Sequence, residues 1–396
     1  MNQLSRSTLP PRVGRLKAGM ARQGVDVIVS FKPENSFYFT GFNPIIYSHP
    51  VIAILTPDHD PIMLVHALRD DHGRASAWVP DIRLYGSWST KVTMGPNWQD
   101  ALASILADLG VAGKTVGIEE EFISIQRAGQ LRKALPDAAF ADVSHLIDHC
   151  RLIKDPDEIA NARIAARAAD LGMDTAIAAL AAGGNEREVA IASMHAMNKL
   201  WTAEYPDVEV CDFGSLEGGV QNGMATWVLS GPRMFYNCDN PTQRKPQRGE
   251  AVSVLIWTIA NGIHAENERT IAMGPLPDVN KRALDAILDI REEVDALIRP
   301  GTPYKDLFEK TREGLKARGY GANIPGRIGH GIGLGAHEHS SLDASSSLVL
   351  EPGMIFTFEP NIRVPGVCAT QISDTVLVTE TGREYLTRSA GGYLEV

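Results

Sequence analysis

A chain of 396 residues exceeds what one ordinary hydrophobic core organises, so two domains are expected. With 44% hydrophobic and 22% charged residues, its composition is that of a folded globular protein rather than a disordered one. A formal net charge of -10 and a pI near 5.6 argue against nucleic acid and anionic membrane as partners, since both need a basic footprint.

In the first stretch, Val13, Leu16 and Met20 fall on one helical stripe that Gly24 ends, and Val25 to Phe31 read as a buried strand. Apolar runs at 51–57 and 61–66, separated by turn residues, read as a hairpin. Gly117 to Glu119 and a helix near Gln126–Leu135 complete an α/β domain over residues 1–150. In RLIKDPDEI (151–159), Asp155 is placed to cap, Pro156 suits the first helical position, and Glu158 completes a capping-box pattern. An Ala-rich helix then runs to about Ala182, so the domain change is set at 150–156 and the second domain at 151–396. A Val/Ile/Trp-rich strand follows in GEAVSVLIWTIANG (249–262), then helices at about 278–298 and 304–318. Turn-bounded strands in EPGMIFTFEP (351–360) and TQISDTVLVTETG (370–382) close the chain.

Cys150, Cys211, Cys238 and Cys368 show no metal-type spacing, which argues against a disulfide framework and fits a reducing compartment. No apolar leader and no run of about 18 apolar residues is visible, so the expected location is the cytoplasm, without a membrane span.

The sharpest local signal is GHGIGLGAHEHSSL (329–342), where glycines flank His330 and His337 lies seven residues on. Ile355, Thr357 and Glu359 share one strand face, and a glutamate in so apolar a run is costly unless it is paired or functional. Leu255 and Trp257 likewise share a face of their strand. These segments, together with HAENERTIAMG (264–274), RLIKDPDEI and SFYFTGF (36–42), resemble the superfamily of creatinase, prolidase, aminopeptidase P and methionine aminopeptidase. The last of them resembles a strand-and-turn signature of that group. The resemblance implies an α/β (α+β) architecture. An N-terminal creatinase/prolidase-type domain precedes a C-terminal pita-bread domain with a curved antiparallel sheet flanked by helices.

Metal-dependent members of that superfamily hold two divalent ions with two Asp, one His and two Glu. Those positions fall here on Leu255, Glu266, His330, Glu359 and Ser373. Leucine cannot coordinate a metal, and a serine hydroxyl is a poor ligand beside a carboxylate, so a dinuclear cage is not expected. The creatinase branch, which works without metal, is resembled through ERT with Glu268, through the retained Glu359, and through PDVEVCDF (206–213) before NPTQRK (240–245). Where that branch carries a proton-transferring histidine, this chain has Cys238 and Asp239.

The expectation is therefore a metal-independent hydrolase of a C–N bond in a small polar nitrogen compound (an amidine, methylated amine derivative or cyclic amidine), with no cofactor. Catalysis falls to His330, His337, Glu359, Glu268 and Asp239, and substrate binding to Trp257, Glu266, Leu255 and Ser373. Trp257 offers a cation–π face. His264 is placed near the pocket, and Arg269 in a structural ion pair. If one divalent ion is bound, Glu266, His330 and Glu359 hold it. The alternatives are an Xaa-Pro dipeptidase or aminopeptidase with an altered metal site, a dimethylsulfoniopropionate-type lyase, and a non-catalytic binding protein. Partners are a small-molecule substrate and, on resemblance, a second copy of the chain.

Overall fold

The computed structural model describes residues 9–88, 90–213 and 222–396. The chain divides into two compact units. One holds the described residues through Arg151 with 211–213, and the other holds Leu152–Val210 with Asn222–Val396. No helix among the described residues is long and apolar enough to cross a membrane.

The first unit is built on a six-stranded mixed sheet. Its strands are β1 (Val27–Ser30), β2 (Ile52–Leu55), β3 (Ile62–His66), β4 (Asp81–Tyr85), β5 (Thr115–Ile118) and β6 (Ala139–Asp142), in the order β4-β3-β2-β1-β5-β6. β2 and β3 pair antiparallel, whereas β5 runs parallel to β1. The first helix, Pro11–Gln23, buries Val13, Leu16 and Met20 and stops at Gly24 in the left-handed conformation. The SFYFTGF segment departs from the expected strand and turn. Pro33 opens a helix, Pro33–Thr40, and Gly41 ends it at φ 73°. A pre-set proline φ at the helix start and a left-handed glycine at its end outweigh the β-prone aromatics between them.

The second unit opens with the helix Pro156–Ala181, whose start carries a capping box: the Asp155 N–H donates to Glu158 Oε2 at 2.8 Å. Its sheet is curved and antiparallel and is flanked by helices. The strands are β7 (Ala225–Ser230), β8 (Ala251–Ala260), β9 (Ile263–Ala272), β10 (His330–Gly331), β11 (Glu338–Ser341) and β12 (Ile355–Phe358). A small ribbon, β13 (Arg363–Val364) with β14 (Cys368–Ala369), precedes β15 (Ser373–Val378), β16 (Arg383–Tyr385) and β17 (Leu394–Glu395). The main order is β11-β10-β12-β15-β9-β8-β7, with β16 beside β15 and β17 parallel to β9.

β8 and β9 are joined by the two residues Asn261 (φ 47°) and Gly262 (φ 81°), the doubly positive turn that matches strand twist. Val252, Val254 and Ile256 on one face of β8 pack with Ala169, Met173 and Leu180 of the long helix. Phe356 and Phe358 of β12 pack with Ile287, Ile290 and Leu307 from the helices Asp278–Asp295 and Tyr304–Ala317. Each strand thus commits one face to helices, and period-2 geometry sends its alternate side chains to the other face.

Candidate functional site

That other face carries the site. Cross-strand register pairs Trp257 with Glu266, Leu255 with Glu268, and Glu268 with Ser373. Paired residues project to the same side, so β8, β9 and β15 lay Leu255, Glu268 and Ser373 in one row, with Trp257 and Glu266 in the next. Two threonines lock the backbone beneath the acids. Thr375 Oγ1 accepts from the Glu266 N–H at 2.8 Å, and Thr357 Oγ1 accepts from the His330 N–H at 3.0 Å. Thr357 also donates to Glu359 Oε1 at 3.2 Å, which turns that carboxylate toward His330 just past the end of β12.

His330 is the centre. Its Nε2 stands 3.6 Å from Glu266 Oε2 and 3.5 Å from Glu359 Oε1, and its Nδ1 donates to the Gly331 carbonyl at 3.0 Å. With the proton held at Nδ1, a neutral ring presents its Nε2 lone pair to two carboxylate oxygens. That arrangement is repulsive unless Nε2 takes up a second proton or a cation lies between them. Burial alone would lower the His330 pKa, but Glu266 and Glu359 outweigh it and raise it. Burial, with the Glu266 charge added, pushes Glu359 up to about 7. Burial, then the charges of Glu266 and Glu359, raise Glu268 well above the usual carboxylate range. Gln371 Nε2 donates to Glu268 Oε2 at 2.6 Å.

An aromatic wall runs off His330. The His337 ring lies 4.2 Å from it, Trp257 lies 5.1 Å from His337, and Trp227 meets Trp257 edge-on at 5.2 Å. Burial and neighbouring His330 push His337 down to about 4, so its ring is neutral at pH 7. Three buried polar atoms on this face have no hydrogen-bond partner: Glu266 Oε1, Ser373 Oγ and Trp257 Nε1. Orphans clustered in one place mark a ligand site more readily than a flaw of packing.

The remaining expected residues sort as follows. Asp239 is exposed, accepts from the Asn240 N–H, and lies 3.2 Å from Arg233, which also pairs with Glu186. The structure thus gives it an arginine partner. A tight turn at Asn237 (φ 65°, ψ -74°) closes with a 2.9 Å bond from the Cys238 N–H to the Tyr236 carbonyl. Burial, then the charges of Glu268, Glu266 and Glu359, raise the Cys238 thiol, which is the opposite of what a thiolate nucleophile needs. His264 is buried, with Nδ1 2.8 Å from the Gly333 carbonyl. Arg269 pairs with Asp374 at 2.7 Å. Thr357, Thr375, Gln371 and Trp227 carry no motif. Only the alternation of their strands would have placed the threonines and Trp227 on this face, and nothing local singles out Gln371.

Ligand atoms of Glu266, His330 and Glu359 all lie within 4.8 Å of one another. The donor set, one imidazole and two carboxylates, suits a divalent transition ion, and the orphaned Glu266 Oε1 and the outward-bonded Nδ1 fit the same role. Residues 160–380 match metallopeptidase family M24, and residues 12–153 match the Creatinase/Prolidase N-terminal domain. The chain belongs to metallopeptidase family M24. Among relatives of this M24 protein, Bacillus subtilis YkvY, provisionally named a dipeptidase, is 26% identical over 95% of this chain and 97% of its own. Among solved structures, an Xaa-Pro dipeptidase from Bacillus anthracis superposes with a TM-score of 0.81 at 23% identity, covering 98% of this chain and 99% of that one. A prolidase from Pyrococcus furiosus gives 0.76 at 24% identity, covering 95% and 100%.

Two expectations are thereby corrected. The metal-independent, creatinase-like hydrolase of amidines or methylated amines does not stand, because the family is one of metallopeptidases and the relative over the full length is named a dipeptidase. The expectation of no cofactor falls with it: Leu255 and Ser373 remove two donors, but the remaining three converge closely enough to hold an ion.

Proposed function

We propose that this M24 protein is a metal-dependent peptidase acting on short peptides, with an Xaa-Pro dipeptide as the first substrate to test. One ion would be held by Glu266, His330 and Glu359. The observation that carries this is the convergence of those three donors on one buried point, in a chain whose family is metallopeptidase. The substrate class is supported by the names of the relative and the two structures above.

A divalent ion there would polarise the scissile carbonyl and make a bound water nucleophilic near neutral pH. Glu359 Oε2 is free of the Thr357 bond and is the atom to take the water proton and return it to the leaving nitrogen. His337 supplies an uncharged ring at the site's edge, and the buried Trp257 N–H is a donor awaiting a substrate oxygen. The Trp227–Trp257 wall offers the flat apolar surface that a pyrrolidine ring needs.

Hydrolysis of Ala-Pro by manganese- or zinc-loaded enzyme, with metal content by elemental mass spectrometry, tests the reading. About one ion per chain is expected, with activity lost on chelation, restored by metal, and absent in Glu266→Gln. Peptide hydrolysis that survives both chelation and Glu266→Gln would overturn it, as would a fully metal-loaded protein that cleaves no peptide.

A further inference from the structure

On the other face of the same strands, away from the acids, the second unit holds a cavity of about 310 Å³ lined by Arg269, Arg291 and Asp374. An account of its N–H groups shows a surplus of donors. Arg269 places all five of its own: Nε on the Ala390 carbonyl, Nη1 on those of Glu268 and Ser373, and Nη2 on Asp374 and the Ser389 carbonyl. Arg291 places three, with Nη1 on the Phe358 and Ile372 carbonyls and Nη2 on Asp374. Its Nε–H and second Nη2–H make no hydrogen bond among the described residues, although only 8% of the residue is exposed. A buried guanidinium with idle donors calls for an acceptor.

The buried acceptors around the cavity are already engaged. Asp374 serves both arginines and Thr387, and Asp295 takes the Tyr385 hydroxyl at 2.7 Å together with Arg383. The remaining acid of the lining, Glu292, is exposed and forms no ion pair among the described residues. Gly391 and Gly392, between β16 and β17, line the same cavity, and neither N–H donates to any described residue. A Cβ on either would meet open space, and Gly392 is left-handed at φ 86°, the conformation in which successive N–H groups form anion-binding nests. Two guanidiniums that share one carboxylate thus face a glycine turn across an open volume, and the planar fork of arginine suits oxyanions.

We infer that this cavity binds a small oxyanion, a carboxylate or a tetrahedral group of the phosphate and sulfate kind, between Arg291 and the Gly391–Gly392 turn. Arg269 lies one residue from Glu268 in the strand and so projects to the opposite face, which separates the anion from the acids. The site therefore stands or falls independently of the peptidase reading.

The full-length protein is titrated calorimetrically at constant ionic strength with sodium sulfate and, separately, with sodium acetate, alongside Glu292→Gln, Leu288→Trp and Glu266→Gln. Saturable binding of a single anion per chain is expected. Tighter sulfate assigns the site to tetrahedral oxyanions and tighter acetate to carboxylates, and either result upholds the inference. Glu292→Gln removes a like charge from the lining at an exposed position, and should tighten binding about threefold. Leu288→Trp fills the cavity from the helix side and should weaken binding by about tenfold or more. Glu266→Gln, on the opposite face, should bind as the wild type does. No saturable binding of either anion overturns the inference, as does binding that disappears in Glu266→Gln, since that would put the anion among the acids. Wild-type affinity in Leu288→Trp overturns it as well. Should that variant fail to fold, Glu292→Gln decides alone, and an unchanged affinity there sinks the site.

Discussion

Asp374 is the group whose loss the second unit should tolerate least. Its Oδ1 accepts from Arg269 at 2.7 Å and its Oδ2 from Arg291 at 2.6 Å, and Thr387 donates to Oδ1 at 2.9 Å. All three charged side chains are 9% exposed or less. The two guanidiniums also donate to the carbonyls of Glu268, Ser373, Phe358 and Ile372, so one carboxylate ties together β9, β15 and the end of β12 directly behind the acids. Asp374→Ala strands two buried cations. Removing one partner of a buried pair costs about 3–5 kcal/mol, and here two pairs share the partner, which argues for the upper end. A cavity of about 310 Å³ lined by the same three residues lets water approach them, which argues for the lower. Taken together, roughly 4 kcal/mol is expected, or about 8–16 °C in the transition of a unit this size. Asp374→Asn should cost less than Ala but still at least about 2 kcal/mol, because its amide N–H₂ must face a guanidinium. Differential scanning calorimetry of the chelated protein, supported by urea unfolding, reads the cost without metal binding. A loss below about 1 kcal/mol for Asp374→Ala would refute the view that this carboxylate holds the strands together.

Three further outcomes follow from other parts of the structure. Lys154 Nζ sits 3.0 Å from Glu338 Oε2 with only 2% and 8% of the two side chains exposed, and this pins the His337 loop. Lys154→Met should cost roughly 3 kcal/mol or more, whereas Lys281→Ala, whose pair with Asp285 is half-exposed, should leave stability nearly unchanged, as urea titrations of both will tell. Gly329 has φ 153° and a Cβ there would overlap the Thr357 carbonyl, so Gly329→Ala must push His330 off β12. Metal affinity should fall by about a hundredfold with the circular dichroism spectrum unchanged. Burial by itself would raise the Glu186 pKa, but the hydroxyls and N–H groups of Thr242 and Ser230 more than offset it and lower it. A depressed carboxyl stabilises fully above its unfolded pKa and stops doing so as pH falls through the folded value. Wild-type stability should therefore drop more steeply than that of Glu186→Gln below about pH 4, and parallel acid-unfolding curves would contradict this.

Much of the site was legible because its residues sit in segments with strong local rules. Asp155, Pro156 and Glu158 announced a helix start, and the Val/Ile/Trp-rich run in 249–262 announced a strand. Alternation put Leu255 with Trp257, and Thr357 with Glu359. What stayed hidden was distance across the sheet. Leu255 and Ser373 exclude a dinuclear cage and weigh against metal, and leave Glu266, His330 and Glu359 to hold one ion if it binds; how closely those three converge is a distance that a linear sequence does not carry. The side-chain direction at Asp239 was equally invisible: it depends on a positive φ at Asn237 and on Arg233 six residues back. Arg291 lies in an ordinary helical stretch, and only the docking of that helix on the sheet makes it the partner of Asp374.

β9 shows how the fold separates structure from chemistry within ten buried residues. Arg269, on one face, is satisfied throughout, with bonds to Asp374 and to the carbonyls of Glu268, Ser373, Ser389 and Ala390. Glu266 and Glu268, on the other face, keep open acceptors. The two sets differ by one residue in register, and a one-residue slip of the strand would carry the acids into the helix-facing layer and the arginine into the site. The turn at Asn261 and Gly262 permits a single pairing of β8 with β9, from Ala260 opposite Ile263 to Ala251 opposite Ala272. A local feature of two residues therefore decides which charges meet the ligand.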